Sequence, residues 1–304
     1  MSILDAIGDT PVIEIEKLNP HRDKVRILAK LEGANPCGSV KDRIAKKMIE
    51  MGMASGALTP DKTVLEPTLG NTGIGLAMVC GVLGFKLTLC MPECVGLEQR
   101  SVIQTLGATI VLTSSEAGTE GAIQKAREMI EADPEAYFMP NQFENPYNFM
   151  AHFETTGPEI REQTKGGLAA FVVGMGTAGT LMGVSRYFKD KGDKVQMIGV
   201  SPVSGQHIPG LKNMWDSTPP GIYDPSWLDR VLYIKTEEAF EMTRSLAVSE
   251  GVFVGISSGA ALWGAIQVAP DLPAGSTVLC ILPDRGDRYL SAPPFASMSA
   301  ESPP

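Results

Sequence analysis

The chain has 304 residues, is 43% hydrophobic and 20% charged, and carries a net charge of −9. That length accommodates one large α/β domain or two of ordinary size, with enough chain to bury a sizeable core. The acidic balance excludes a general attraction to nucleic acid or to an anionic membrane, so any anionic ligand has to be held locally.

The opening MSILDAIGDTPVIEI has no basic region followed by an apolar one, so no secretory leader is expected. No apolar run approaches the ~20 residues of a membrane-spanning helix. In chain order, Asn35-Pro-Cys-Gly-Ser-Val-Lys-Asp-Arg43 is a Pro/Gly loop that turns into a helix with Lys41 in its first turn. Helical patterns come next at Ile44–Met53, Gly73–Leu83, Glu98–Leu106 and Gly121–Ala132. Between them lie strand-like runs at Val64–Pro67, Lys86–Pro92, Thr109–Thr113 and Tyr137–Pro140. The rhythm pauses at the Asn/Pro-rich stretch Asn141–Asn148. It resumes with Ala169–Gly174, Val195–Ser201 and Thr277–Pro283. This alternation predicts an α/β fold of mostly parallel sheets flanked by helices, in two lobes with a cleft between them. Residues 35–147 would form the smaller lobe, and 1–34 with 148–304 the larger. Val203–Trp227 is a long Pro/Gly-rich loop of the functional kind. The Ser/Pro-rich tail, about 292–304, is expected to be mobile.

Three strand-to-helix junctions are rich in Gly, Ser and Thr: Pro67-Thr-Leu-Gly-Asn-Thr-Gly73, Gly174-Met-Gly-Thr-Ala-Gly-Thr180 and Gly255-Ile-Ser-Ser-Gly-Ala-Ala261. Each alone is equally well a structural turn. Three at the carboxyl ends of strands point to a ligand with several anionic or polar groups, because free helix N–H groups favour anions. Gly174, Gly176 and Gly179 also satisfy the dinucleotide pattern G-x-G-x-x-G. However, the next strand ends in Ser201-Pro202 rather than in the acidic residue that pattern wants. Thr177 and Thr180 add hydroxyls suited to one terminal phosphate. Lys41 sits where a helix macrodipole is positive, and that field lowers a lysine pKa and favours a nucleophilic amine. A solvated surface lysine is the ordinary alternative.

Cysteines number five and are scattered, with Cys80, Cys90 and Cys280 in apolar runs, which reads as reduced thiols of a cytosolic protein. Cys90 and Cys94 lack a second Cys/His pair, so no metal site is expected. Cys37, four residues before Lys41, is either a reactive thiol or, more simply, a packed one. His21 reads as an exposed turn and His152 as a partial-core histidine; His207 lies on the long loop.

Taken in order, NPCGSVKDR, EPTLGNTG, GMGTAGT and GISSGAA resemble the cysteine synthase and cystathionine β-synthase family, the fold-type II pyridoxal-phosphate (PLP) enzymes with a tryptophan synthase β-like fold. The resemblance runs from IGDTPV to DRGDRYLS. Within the family, VSGQHIPGLKNMW and DRGDRYLS are more like the B-type members. The resemblance implies a role for each matching residue. Lys41 would form the Schiff base with PLP, and Asn71 would bond the ring hydroxyl oxygen. Gly176, Thr177, Ala178, Gly179 and Thr180 would cradle the phosphate, and Ser257 would face the pyridine nitrogen. Thr68, Leu69, Gly70, Thr72 and Gln142 would hold the substrate carboxylate. The implied reaction is β-replacement: O-acetyl-L-serine loses acetate through an α-aminoacrylate, and sulfide adds to give L-cysteine. A cytoplasmic homodimer is also implied. Two departures bear on substrate. Leu69 replaces the usual serine and has no side-chain donor. Lys212 stands where B-type relatives carry arginine, which favours O-phosphoserine or thiosulfate in some of them. A cystathionine β-synthase, or a PLP-binding paralogue with weak synthesis, are the alternatives.

Overall fold

A computed structural model describes residues 1–296. The chain opens with a short antiparallel pair, β1 (Val12–Glu14) and β2 (Arg26–Leu31). The small sheet and its helices come next: α1 (Lys41–Ala54), β3 (Thr63–Pro67), α2 (Asn71–Leu83), β4 (Lys86–Pro92), α3 (Leu97–Thr105), β5 (Thr109–Thr113), α4 (Gly118–Ala132) and β6 (Tyr137–Phe138). A helical run then goes from α5 (Pro146–Ala151) through a π-helical turn at His152–Thr156 into α6 (Gly157–Gln163). The large sheet is completed by β7 (Leu168–Gly174), α7 (Gly179–Asp190), β8 (Gln196–Pro202), β9 (Arg230–Ile234), α8 (Thr236–Ser245), α9 (Ile256–Val268) and β10 (Thr277–Leu282).

The large sheet has the order β1-β2-β10-β7-β8-β9 and is parallel except for β1. The small sheet, β5-β4-β3-β6, is wholly parallel. Parallel strands need crossovers, and helices on both faces supply them. The two-residue alternation of a strand sorts each side chain to one face. Thus Val172, Val200 and Leu232 pack on Ala260, Ala261 and Ala265 of α9. Phe171, Val173 and Met197 pack on Leu181, Met182 and Phe188 of α7. Helix α9 lies so close that a Cβ at Gly264 would fall 2.6 Å from Val200. In the small sheet, Val64, Leu87 and Leu89 pack with Ile49, Ile74 and Leu76 of α1 and α2. Leu65 and Cys90 pack with Ala122 and Ala126 of α4.

Three strands, β1, β2 and β9, are not evident as runs in the sequence, and β1 is only three residues long. Strand β2 (RILAKL) carries Lys30, which is fully buried and breaks the apolar run. Strand β9 (RVLYI) is an edge strand with two exposed residues. The predicted Tyr137–Pro140 run shortens to β6, because the chain turns at Asn141 with φ 54°. The tail is packed at its start: Phe295 is buried and meets Phe253 edge-on at 5.1 Å. The expectation of a mobile tail otherwise falls on residues 297–304, outside the described ones. No helix among the described residues is long and apolar enough to cross a membrane.

Candidate active site

Helix α1 begins at Lys41 itself. Its lead-in is tied to the end of β10, where Val40 N–H donates to Pro283 O at 2.8 Å. The turn closes locally: Cys37 N–H donates to Asp42 Oδ2 at 2.6 Å and Lys41 N–H to Ser39 Oγ at 3.2 Å. Burial lowers the Lys41 amine to about 8, against the opposing pull of the Asp284 carboxylate. Neutral amine, the form that a nucleophile or base requires, is therefore far more populated near neutrality than for an ordinary lysine. Burial and Asp42 push the Cys37 thiol up to about 11, with Arg288 opposing, so it is the packed rather than the reactive thiol.

One cavity is lined jointly by Lys41, Gly176, Thr177, Ala178, Gly179 and Thr180. The loop before α7 bends through a left-handed residue at Ala178, φ 63°, whose side chain is buried among Leu181 and Met175. A Cβ at Gly176 would fall 2.6 Å from Gly210 O, and one at Gly179 would fall 1.8 Å from Asn148 Oδ1. The loop is thus a close-walled cradle with a helix N-terminus, two threonine hydroxyls and a buried amine beside it. That donor set fits a phosphate-bearing aldehyde.

Asn71 is the first residue of α2. Its Nδ2 donates to Asp284 Oδ2 at 2.6 Å, and its Oδ1 accepts from Arg288. Asp284 is fully enclosed and also accepts from the Tyr289 hydroxyl. Burial holds its carboxyl above the usual range, against Tyr289, Arg288, Asn71 and Lys41. In the neighbouring loop Thr68 and Thr72 are buried, with Gly70 at φ 149° between them. Thr72 Oγ1 donates to Gln142 Oε1 at 2.6 Å, so these two predicted residues meet across 70 positions. Leu69, between Thr68 and Gly70, is 45% exposed. Ser257 is buried near the start of α9, beside the turn at Gly210. Lys212 is anchored through its backbone N–H to Met175 O at 2.7 Å. Its ammonium lies 5.5 Å from the Phe143 ring centroid, next in sequence to Gln142.

Several residues at the site are not evident from the sequence. Glu66, buried at the end of β3, accepts the backbone N–H groups of Asn141 (2.7 Å) and Gln142 (2.9 Å). Burial raises its carboxyl to about 7, although those bonds oppose the shift. His152 is a satisfied core histidine, as its helical setting suggests, but its partners are not evident: Nε2 lies 3.2 Å from Thr180 Oγ1 and Nδ1 lies 2.9 Å from Thr156 Oγ1. Burial, with Arg43 and Lys41, lowers its pKa well below 6.5, so it is neutral behind the phosphate-type loop. Asp284, Arg288 and Tyr289 all lie within the DRGDRYLS stretch. A carboxylate inside an apolar strand run, as in VLEP, is the signal that marks Glu66, because a buried charge demands partners.

The architecture, two mostly parallel sheets with a lysine at a helix start facing a Gly/Thr cradle, defines a cofactor-dependent enzyme of the α/β class. The family description "Pyridoxal-phosphate dependent enzyme" matches residues 3–284, and the chain belongs to that family. The chain is 42% identical to a cysteine synthase of Aquifex aeolicus, covering 97% of this chain and 92% of that one. It is 43% identical to cysteine synthase B of Salmonella typhimurium, covering 95% and 94%. Among solved structures it is similar to an O-ureido-L-serine synthase, with TM-score 0.92, 35% identity and coverage of 99% and 96%. An O-acetylserine dependent cystathionine beta-synthase from Helicobacter pylori is similar with TM-score 0.88, 39% identity and coverage of 96% and 97%. The cofactor of this chain is pyridoxal 5′-phosphate.

Proposed function

We propose that this chain is a cysteine synthase that replaces the acetoxy group of O-acetyl-L-serine with sulfide. The observation that carries this reading is that Lys41 and the Gly176–Thr180 cradle line one cavity together. Bound PLP supplies an electron sink for the bond from the substrate α-carbon to hydrogen. Gly176, Thr177, Ala178, Gly179 and Thr180 would hold its phosphate, and Asn71, one of whose amide hydrogens goes to Asp284, would donate the other to its ring oxygen. The Ser257 hydroxyl would face the ring nitrogen. A neutral hydroxyl cannot hold a full proton there, which favours elimination over transamination. Thr68, Gly70, Thr72 and Gln142 bind the amino-acid carboxylate, with backbone N–H at Leu69. Lys41 Nζ takes the α-proton and later returns it. The smaller lobe (35–147) carries the substrate loop and the larger one the phosphate loop. The five unpaired cysteines favour a cytoplasmic protein, and the family resemblance favours a homodimer.

The test is a spectral titration of the PLP-loaded protein. O-acetylserine should shift the cofactor band, and sulfide should restore it while cysteine appears. A protein that neither holds PLP nor shifts with any β-substituted serine is not this enzyme. A second reading, phospho-substrate use, rests on the half-buried Lys212 ammonium beside Phe143. A shift with O-phosphoserine and none with O-acetylserine decides for it. Leu69→Ser restores a hydroxyl donor to the carboxylate loop. Amino-acid affinity in the same titration should tighten roughly two- to tenfold, the worth of one ordinary hydrogen bond. Unchanged affinity would show that the Leu69 backbone N–H already suffices.

A further inference from the structure

The hydrogen bonds of Asn148 reach both sides of the site. This residue is fully buried in α5. Its Nδ2 donates to the backbone carbonyl of Gln142 at 2.7 Å and to Thr177 Oγ1 at 3.1 Å. The first belongs to the proposed substrate-carboxylate group and the second to the phosphate cradle. The amide orientation is forced, because Gln142 O only accepts and must meet the NH2 end. The other end, Oδ1, is buried without a partner against Gly179. Such proximity requires glycines on α7: a Cβ at Gly183 would fall 2.2 Å from Phe149 O, and one at Gly179 would strike Asn148.

Thr177 feels the effect of this arrangement. Its Oγ1 accepts from Asn148 and, at 3.4 Å, from Gly179 N–H. Both lone pairs are then engaged, and the hydroxyl proton is left to donate elsewhere. The cavity that Thr177 shares with Lys41 is where such a donor is of use. Glu66 completes the chain by holding the Gln142 backbone N–H. Thr72 binds the side chain of that same glutamine.

We propose that Asn148 is a positioning residue that locks the carboxylate loop to the phosphate loop and turns the Thr177 hydroxyl proton toward the cofactor phosphate. This rests on the assignment of Gly176–Thr180 to the phosphate. Donation to a phosphate is a charge-assisted bond, stronger than a neutral one.

The test uses full-length protein stripped of cofactor and titrated with PLP and, separately, with pyridoxal, which lacks the phosphate. In Asn148→Ala the dissociation constant for PLP should rise roughly tenfold or more, as expected for a misdirected bond to a charged group. That for pyridoxal should stay within about twofold. In a Thr177→Ala background, the further change Asn148→Ala should alter PLP affinity by less than about twofold, because its route is already gone. Equal weakening toward both aldehydes would make Asn148 a general structural residue and overturn the proposal. So would an Asn148→Ala effect that persists undiminished without the Thr177 hydroxyl. Should Asn148→Ala fail to fold, Asn148→Leu keeps the volume, removes both donors without adding a charge and is read by the same two comparisons. Wild-type protein that binds PLP no tighter than pyridoxal would instead remove the phosphate assignment itself, a result separable from any effect of Asn148.

Discussion

Lys41→Ala is expected to lower cysteine formation by about a thousandfold or more, because it deletes both the covalent anchor and the group that moves the α-proton. Loaded wild-type protein should show the long-wavelength band of lysine-bound PLP, and the variant should show only the free aldehyde. The pH profile gives a second, independent readout. Burial lowers the Lys41 amine to about 8, and only the neutral amine attacks an aldehyde. The rate at which stripped wild-type protein captures PLP should therefore rise with pH and level off above about 8. A profile still rising toward the ordinary lysine pKa near 10.4 would mean that the amine is not desolvated as described. Retained turnover in Lys41→Ala would refute its role outright.

Lys41 is legible in the sequence because local rules mark it: a Pro/Gly loop, a helix start and a cation where the macrodipole disfavours one. The Gly176–Thr180 cradle is legible for a similar reason, since glycine and threonine at a strand-to-helix turn already imply close backbone approach and hydroxyl donors. Asn148 and His152 are not. Their partners, Thr177 and Thr180, lie 29 and 28 residues away. The pairing exists only because α5 and α7 meet at glycines, a fact of tertiary packing. Strand β2 is hidden for a related reason. Its lysine, next to last in the strand, argues locally against a buried strand, and only the folded chain supplies the charges that make Lys30 tolerable.

Those charges give the second large expected effect. Arg43, two residues beyond Lys41 on α1, is buried and forks onto two carboxylates. Its Nε and Nη2 reach Glu32 at 2.8 Å each, and its Nη1 and Nη2 reach Glu159 at 2.6 and 2.7 Å. Lys30 completes a neutral set of four by meeting Glu159 at 2.7 Å. Glu32 belongs to the turn after β2 and Glu159 to α6, so the cluster clamps the start of the Lys41 helix to the large sheet and its cover. Burial alone would raise both carboxyls. Arg43 and Lys30 outweigh it and hold Glu32 and Glu159 below the usual carboxylate range. Arg43→Met should then destabilise the fold by about 3–5 kcal/mol at neutral pH, measured by urea unfolding, because it strands buried charge. The loss should depend on pH with a definite sign. In the wild type both native pKa values lie below the unfolded value near 4.3. Their stabilisation is present above that value and lost as pH falls through the native values. In Arg43→Met, burial pushes the same carboxyls upward, so the variant loses stability as pH rises through their new values. The gap between the two proteins should widen from about pH 4 toward pH 7. Adding Glu32→Gln to Arg43→Met removes one stranded charge and should recover part of the loss. A loss below about 1 kcal/mol that does not vary with pH would mean that the cluster contributes no more than an exposed ion pair.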